Sequence, residues 1–206
     1  MAIIDLVAPR HLSDLDHNPV AEFEIWFDQA KITEPKLPDA MTLATATPEG
    51  RPSARIVLLK QFGADGFVFF TNYESRKGQE LADNPSAALL FHWKCLGRQV
   101  RIEGRVEKVA PDTSKTYFDS RPRESRLSAW ASPQSHPISD RHILENRQAE
   151  LEQKYPDEDI PLPPFWGGYR VIPDRFEFWI HQNHRLHDRF CYTKNGKGWE
   201  ITQLAP

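Results

Sequence analysis

The chain has 206 residues, of which 39% are hydrophobic and 27% are charged. This length suits a single domain with a buried core, and the composition is that of a folded globular protein rather than a disordered one. The net charge of −3 excludes a chain-wide basic field for nucleic acid or an anionic membrane, so any anion must bind at a local cluster of cations.

Cysteine usage and the N-terminus indicate the compartment. Cys95 and Cys191 fit neither a CxxC motif nor a zinc spacing, so free thiols in a reducing cytoplasm are the simplest interpretation. The first residues lack the basic start, long apolar core and small-residue cleavage site of a secretory signal. No apolar run approaches the roughly 18 residues that span a bilayer. We therefore expect a cytoplasmic protein with no nucleic-acid partner and no membrane partner.

The chain divides into a short segment and one domain. Residues 1–19 have no regular pattern and are expected to form a flexible N-terminal segment. Residues 20–206 are expected to form a single domain. It opens with an amphipathic helix, because apolar residues recur at helical spacing between residues 20 and 32.

Short runs rich in β-branched and aromatic residues follow and predict strands. They are MTLATAT, PSARIVLL, GFVFFTN, SAALLFHW and RQVRIEGRVEKV. The first three runs are separated by PEG and GADG, which predicts two successive hairpins with glycine-containing turns. A short helix is predicted to begin after Ser75, which is a good N-cap residue.

The C-terminal half starts with helical patterns and returns to strands. PDTSKTYFDSR and SDRHILENRQAELEQKY predict helices, the second with Ser139 as its N-cap. The strands predicted after them are GGYRVIP, RFEFWIH, DRFCYT and GWEITQL, with an Asn-Gly turn before the last. Many consecutive strands and few helices predict a mainly β fold, a barrel or sandwich with peripheral helices. Neither βαβ alternation nor a glycine-rich nucleotide loop is present.

The first candidate site lies at the start of the helix after Ser75. Arg76 and Lys77 fall in its first turn, where two cations oppose the helix macrodipole at a cost of roughly 0.3–1 kcal/mol each. With a phosphate bound, the two cations would stabilise the helix start instead of destabilising it, because the free N–H groups and both cations would converge on the phosphate. Two solvated surface cations explain the same pattern equally well.

The second candidate is the pair Arg55 and Lys60. Residues five apart on a strand face opposite sides, so both can reach one ligand only if the strand ends or bulges before Lys60. From spacing alone, an edge-strand arginine and a strand-end lysine are the simpler interpretation.

The third candidate combines hydrogen-bond donors. Tyr117 and Arg121 are four residues apart, so on a helix they share a face, and Ser125 follows a break at Pro122. A phenol, a guanidinium and a hydroxyl can all donate to an anion. A helix C-terminus at which Arg121 complements the dipole is the simpler interpretation.

The fourth candidate is NHRLHDRF, residues 183–190. Histidines recur at every third position from His181, but zinc sites prefer histidines four apart on a helix with a third ligand, so no metal site is expected. In an extended chain, alternation would place three basic residues on one face. They are Arg185, His187 and Arg189. Asp188 would face the other side and take a structural role.

Nine short motifs, in order, carry a family resemblance. They are RIVLLK, FFTNYESRKG, RQVRIEG, YFDSRPRES, SPQS, WGGYRV, EFW, RLHDRF and the terminal LAP. With them, the chain from about Met41 to Pro206 resembles the pyridoxine/pyridoxamine 5′-phosphate oxidase family. The resemblance implies an FMN-binding split β-barrel that forms a homodimer with flavin sites at the subunit interface.

The resemblance also implies roles for individual residues. The implied FMN contacts are Arg55, Ile56, Val57, Leu58, Lys60, Phe70, Thr71, Arg76, Lys77, Gln99, Gln134, Ser135, Trp179 and Arg189. The implied contacts to the substrate phosphate are Lys60, Tyr117, Arg121 and Ser125. Arg185 and His187 would bind the pyridine ring over the flavin and serve as the catalytic residues.

The implied reaction is FMN-dependent oxidation of pyridoxine or pyridoxamine 5′-phosphate to pyridoxal 5′-phosphate, with O₂ as acceptor and H₂O₂ as product. One alternative is a flavin oxidase of the phenazine-biosynthesis type, against which the substrate-phosphate residues argue because a phenazine precursor has no phosphate. Another is a non-catalytic flavin- or vitamer-binding split barrel. That alternative stays open because the N-terminal segment lacks the tyrosine that the family carries there, and Arg10 is its only arginine.

Overall fold

A computed structural model of the chain describes residues 10–34, 36–157, 159–196 and 198–206. The helices in this part of the chain are α1 Pro19–Thr33, α2 Arg76–Asp83, α3 Pro111–Asp119, α4 Arg123–Ala131 and α5 His142–Lys154. The strands are β1 Ala40–Ala46, β2 Pro52–Leu58, β3 Gln61–Gly63, β4 Gly66–Asn72, β5 Ser86–Trp93, β6 Arg98–Lys108, β7 Trp166–Ile180, β8 Asp188–Asn195 and β9 Gly198–Gln203.

The strands form one antiparallel sheet that curls into a half-barrel. Its order is β2-β1-β5-β6-β7-β4-β3, and β8 and β9 extend it from the second half of β7. The long strand β7 therefore pairs with β4 through residues 166–171 and with β8 through residues 175–180. The predicted mainly β fold with peripheral helices is confirmed.

The core lies between α1 and one face of this sheet. Along β6, buried Val100 and Ile102 alternate with partly exposed Gln99 and Arg101, as expected for a sheet with one covered face. Fully buried aromatic side chains fill the core, each contributing roughly 1.5–3 kcal/mol of burial free energy. They include Phe23 and Trp26 of α1 and Phe67, Phe91, Phe176 and Phe178 of the sheet.

The predicted flexible segment lies partly outside the described residues, which begin at residue 10. Arg10 pairs with buried Glu22 at 2.6 Å, and its backbone N–H donates to Asp188 at 3.3 Å. Glu22 also accepts a hydrogen bond from the Trp26 indole at 2.6 Å. These contacts join residue 10 to α1 and to the start of β8, and the flexibility of residues 1–19 stays a prediction.

Two helix predictions need correction. Helix α3 ends at Asp119, so Arg121 lies beyond it, because Pro122 disfavours the helical conformation in the residue before it. Pro122 then precedes a helix, α4, that was not predicted, since a proline is well tolerated at a helix start. Helix α5 begins at His142 with Arg141 rather than Ser139 as its N-cap, and the Asp140 carboxylate accepts from the His142 N–H at 2.7 Å.

Two strand predictions also differ. The GADG turn joins β4 to the short strand β3 and not to β2. The runs GGYRVIP and RFEFWIH form one strand, β7, because Asp174 is an extra residue that bulges where the register with β6 shifts. The predicted hairpin between the last two strands is confirmed, but Asn195 pairs with Gly198 as the last residue of β8 and is not part of the turn.

Candidate functional site

A cleft of about 330 Å³ lies between the end of β2, β4 and the segment after α3. Its lining residues are Arg55, Ile56, Val57, Leu58, Lys60, Phe70, Thr71, Lys77, Tyr117, Arg121, Gln134 and Trp166. All of them except Trp166 belong to the implied FMN and substrate contacts. A larger cleft of about 630 Å³ on β1, β5 and β6 contains none of those residues.

The end of β2 lets Arg55 and Lys60 face one cleft. The strand ends at Leu58, so the alternation of side chains between the two faces of a strand does not apply to Lys60. The Lys60 ammonium lies 2.9 Å from the Asp39 carboxylate. The strand therefore ends before Lys60, as is required for Arg55 and Lys60 to reach one ligand.

Lys77 is a buried cation with neutral partners. Its side chain donates to Thr71 at 3.1 Å, to Ser75 at 3.2 Å and to Gln134 at 2.8 Å. Burial and, to a smaller extent, the Arg55 charge lower the pKa of Lys77 to about 8. Ser75 caps α2 as predicted, accepting from the Gly78 N–H. A ligand anion in the cleft would stabilise this ammonium, since its hydrogen-bond partners among the described residues are all neutral.

Arg121 borders the cleft and carries a second uncompensated cationic donor. Its buried Nη1 atom has no hydrogen-bond partner among the described residues. Its guanidinium lies 4.8 Å from the centroid of the Trp166 ring, and burial lowers the pKa of Arg121. Phe70 stacks on Tyr117 with ring centroids 4.0 Å apart, which fixes the phenol at the same wall. Orphaned buried donors are rare in proteins, so this one fits a phosphate or another anion.

Arg55 is held by a network that the sequence reasoning missed. It donates to the Thr45 hydroxyl at 2.5 Å and pairs with Glu80 at 3.3 Å. Arg76 pairs with the other oxygen of Glu80 at 2.9 Å, but its side chain is 63% exposed and does not line the cleft. The four-residue spacing of Arg76 and Glu80 on α2 was the available signal.

Ser125 and Ser135 do not line the cleft either. Ser125 lies in the first turn of α4, where its N–H donates to the Pro122 carbonyl at 2.9 Å. Ser135 has a φ of +71°, a left-handed conformation that is uncommon outside glycine.

A second group of implied contacts lies at the far end of β7. Gln99, Trp179 and Arg189 form one row across β6, β7 and β8, because Trp179 is in register with both of the others. The His187 ring lies 4.6 Å from the Trp179 ring. Arg189 donates to Glu177 at 2.9 Å.

The loop that carries Arg185 is not extended, so the predicted alternation from residue 185 to 189 is wrong. Residues Asn183–Arg185 form a single 3₁₀ turn, in which His184 and Arg185 have φ values of +55° and +65°. Such backbone strain in non-glycine residues often marks functional loops. Asp188 takes a structural role as predicted, accepting from the Gln182 amide at 2.8 Å.

His187 has a defined tautomer. The backbone N–H of Gln182 donates to its Nδ1 atom at 3.1 Å, so the proton of the neutral ring lies on Nε2. Burial first, and then the charges of His181 and Arg185, lower the pKa of His187. The neutral ring can therefore donate a hydrogen bond through Nε2 at neutral pH.

The two groups are separated by the length of β7. Trp166, at its start, borders the cleft, and Trp179 follows 13 residues later, about 43 Å along a straight strand. The bulge at Asp174 bends the strand and shortens the direct distance. None of the second group lines the cleft of the same chain.

Within the described residues, no three His, Cys, Asp or Glu side chains are grouped as a metal site requires. No helix in the described part combines the length and apolar character needed to cross a membrane.

Comparisons with known proteins match almost the whole chain. A family model described as pyridoxamine 5′-phosphate oxidase matches residues 29–155. A second, described as pyridoxine 5′-phosphate oxidase C-terminal dimerisation region, matches residues 166–206. A pyridoxine/pyridoxamine 5′-phosphate oxidase from Nostoc sp. is 56% identical over 194 residues, 94% of this chain and 91% of the relative. One from Paraburkholderia phymatum is 57% identical over 196 residues, 95% and 92% of the two chains.

Solved structures extend the likeness to the fold. PhzG from Burkholderia lata, in complex with tetrahydrophenazine-1-carboxylic acid, is 32% identical with a TM-score of 0.90, covering 98% of this chain and 99% of that one. A pyridoxamine 5′-phosphate oxidase-related, FMN-binding protein from Nostoc punctiforme is 19% identical with a TM-score of 0.71, covering 91% and 98%. The second likeness concerns the fold alone, and it confirms the predicted split barrel.

Proposed function

Because the chain belongs to the pyridoxine/pyridoxamine 5′-phosphate oxidase family, we propose that it binds FMN and oxidises pyridoxine and pyridoxamine 5′-phosphates to pyridoxal 5′-phosphate, with O₂ as acceptor and H₂O₂ as product. One observation carries the proposal. Lys77 and Arg121 line the same cleft, and among the described residues the buried Lys77 ammonium has only neutral partners while the buried Nη1 atom of Arg121 has no hydrogen-bond partner.

Two sets of donors suit two phosphates. Arg55 and Lys77 would bind the phosphate of FMN, with Thr71 and Gln134 as polar neighbours. Lys60, Tyr117 and Arg121 would bind the phosphate of the vitamin substrate. Ser125 would join them only if the first turn of α4 contributes to the bound state. Fixing the substrate by its phosphate restricts the pyridine ring to one position, which supplies the orientation part of catalysis.

FMN would supply the hydride acceptor, and the chain would supply binding and orientation. We assign Arg185 and His187 to the substrate ring. The Nε2–H of neutral His187 would donate to an oxygen or nitrogen substituent of the ring, and the Arg185 guanidinium would add a fixed positive charge. Arg185 lies in the strained turn Asn183–Arg185, and the hydrogen bond from the Gln182 N–H orients the His187 ring.

A second copy of the chain would complete each site. Trp179, Arg185, His187 and Arg189 lie within residues 166–206, the region matched by the dimerisation model, and they are remote from their own cleft. We infer that in a homodimer this group, with Gln99, faces the cleft of the other subunit. Each flavin would then lie between two chains.

An aerobic assay tests the proposal. Purified protein loaded with FMN is mixed with pyridoxine 5′-phosphate, and pyridoxal 5′-phosphate absorbance and H₂O₂ are followed together. We expect equal amounts of both products, and much slower turnover of pyridoxine without its phosphate. Flavin and substrate binding with no turnover of either phosphorylated vitamer would instead identify a non-catalytic binding protein.

The likeness to PhzG favours a second candidate, an oxidase acting on a dihydrophenazine carboxylate. Such a substrate has no phosphate and would leave Lys60, Tyr117 and Arg121 without a phosphate to bind. Turnover of a dihydrophenazine carboxylate, together with no turnover of pyridoxamine 5′-phosphate, would select this candidate over the first.

A further inference from the structure

Glu80 is a buried carboxylate that links both arginines of the phosphate region. It lies on α2, and its side chain is 6% exposed. Its Oε2 atom accepts from Thr45 at 2.5 Å, from Ser53 at 2.6 Å and from Arg55 at 3.3 Å. Its Oε1 atom accepts from Arg76 at 2.9 Å. Glu80 itself does not line the 330 Å³ cleft.

Two hydroxyl groups connect Glu80 to Arg55. Thr45 and Ser53 are register partners on β1 and β2, and each donates to Glu80 while accepting from Arg55. The Arg55 guanidinium is therefore held both directly and through two relays. Since Arg55 also donates to the Leu43 carbonyl at 3.2 Å, its side chain has little freedom to leave the cleft wall.

The carboxylate is ionised throughout the physiological range. Burial alone would raise the pKa of Glu80, but hydrogen bonds from Ser53, Thr45, Arg76 and Arg55 together lower it to about 2. A buried charge is costly unless it is fully paired, and this one is paired by four donors.

We propose that Glu80 is the positioning residue of the cofactor-phosphate site: it fixes Arg55 in the orientation that binds the phosphate, and its other oxygen pairs with the exposed Arg76. The inference rests on the proposed function, since it requires a phosphorylated flavin in the cleft. Glu80 acts through the arginines and does not contact the ligand.

Removing the Glu80 carboxylate would change FMN affinity in opposite directions through its charge and through its positioning of Arg55. Loss of a negative charge would make the site more positive and would tighten binding of a phosphate dianion. Loss of positioning would weaken it, because a mobile Arg55 must be ordered when the ligand binds. The sign of the change in FMN affinity therefore separates the two effects.

Titration of the apoprotein with two flavins measures this sign. FMN and riboflavin differ by the phosphate alone, and the binding of each is followed by flavin fluorescence. For Glu80→Ala we expect an FMN Kd about tenfold higher and an unchanged riboflavin Kd. Glu80→Gln keeps one acceptor oxygen and should give a smaller increase. Asp83→Asn, which removes an exposed carboxylate from the same helix, should leave both constants unchanged.

The outcomes distinguish this inference from the proposed function. A wild-type apoprotein that binds FMN no more tightly than riboflavin contradicts the phosphate site itself. A wild-type preference for FMN that survives or grows in both Glu80 variants overturns the role of Glu80. Ser53→Ala decides the matter if the Glu80 variants do not fold. It removes one relay hydroxyl at a partly exposed strand position, and unchanged FMN affinity in that variant would overturn the inference.

Discussion

The guanidinium of Arg121 lies 4.8 Å from the ring of Trp166, and its Nη1 atom is buried without a partner among the described residues. The aromatic face partly compensates for the lost hydration of the cation, and contacts of this kind contribute about 0.5–2 kcal/mol. Trp166 thus supports the Arg121 guanidinium at the border of the cleft, where its Nη1 atom keeps an unused donor.

Replacing Trp166 should weaken substrate binding through Arg121. For Trp166→Leu we expect the KM for pyridoxine 5′-phosphate to rise about threefold to tenfold, because the guanidinium loses its aromatic support. Trp166→Phe should retain most of the affinity. Steady-state kinetics measure the change, and Trp130→Phe, at a partly buried indole on α4 outside the cleft, is the matched control. An unchanged KM in Trp166→Leu would show that Arg121 needs no such support.

The pKa of Lys77 predicts that FMN binding depends on pH. The ammonium form binds phosphate, and its pKa in the apoprotein is lowered to about 8, so the binding form is lost as the pH rises through 8. The FMN phosphate is already a dianion above pH 7 and adds no titration there. The FMN Kd should therefore increase between pH 7 and pH 9.5.

Lys77→Met supplies the control for that pH dependence. Its FMN Kd should be higher than wild type at pH 7 and flat across the same range. Because the variant removes a buried charge that has only neutral partners, we also expect a higher Tm of the apoprotein at pH 7. A wild-type Kd that does not change with pH would contradict the role of Lys77.

Arg185→Ala should reduce turnover yet leave FMN bound. Arg185 lies in the turn before β8, away from the cleft that would bind the flavin phosphate. We expect kcat to fall about a hundredfold from the loss of a fixed charge near the reacting carbon, with the flavin spectrum of the purified protein unchanged. Arg147→Ala, on the exposed side of α5, is the matched control. Undiminished turnover in Arg185→Ala would remove this residue from the proposed site.

Mixed dimers test whether two chains build each site. Lys77→Ala and Arg185→Ala chains, each impaired alone, are refolded together in equal amounts. Half of the dimers should be mixed, and each mixed dimer has one site with neither defect, so about a quarter of wild-type activity should return. If both groups served a cleft within one chain, mixing would restore no activity.

Local patterns in the sequence predicted most of the elements but not how they end. Alternation and turn residues located the strands, and Ser75 correctly marked the start of α2. Pro122 predicted the end of α3 but not the start of α4, because a proline is compatible with both positions. The turn at Arg185 was missed because an arginine gives no local signal for a left-handed backbone.

Short-range periodicity and motifs in a fixed order were enough to predict the fold class, the family resemblance and almost all the residues of the cleft. Two contacts emerge only from the folded chain: Glu80 reaches Arg55 from 25 residues away, and Trp166 lies beside Arg121. The folded chain also places Trp179 at the far end of β7 and Arg185 in the turn after that strand, and neither residue lines the cleft. Such relationships are set by strand register and by the packing of α2 against β1 and β2, and no local pattern encodes a register.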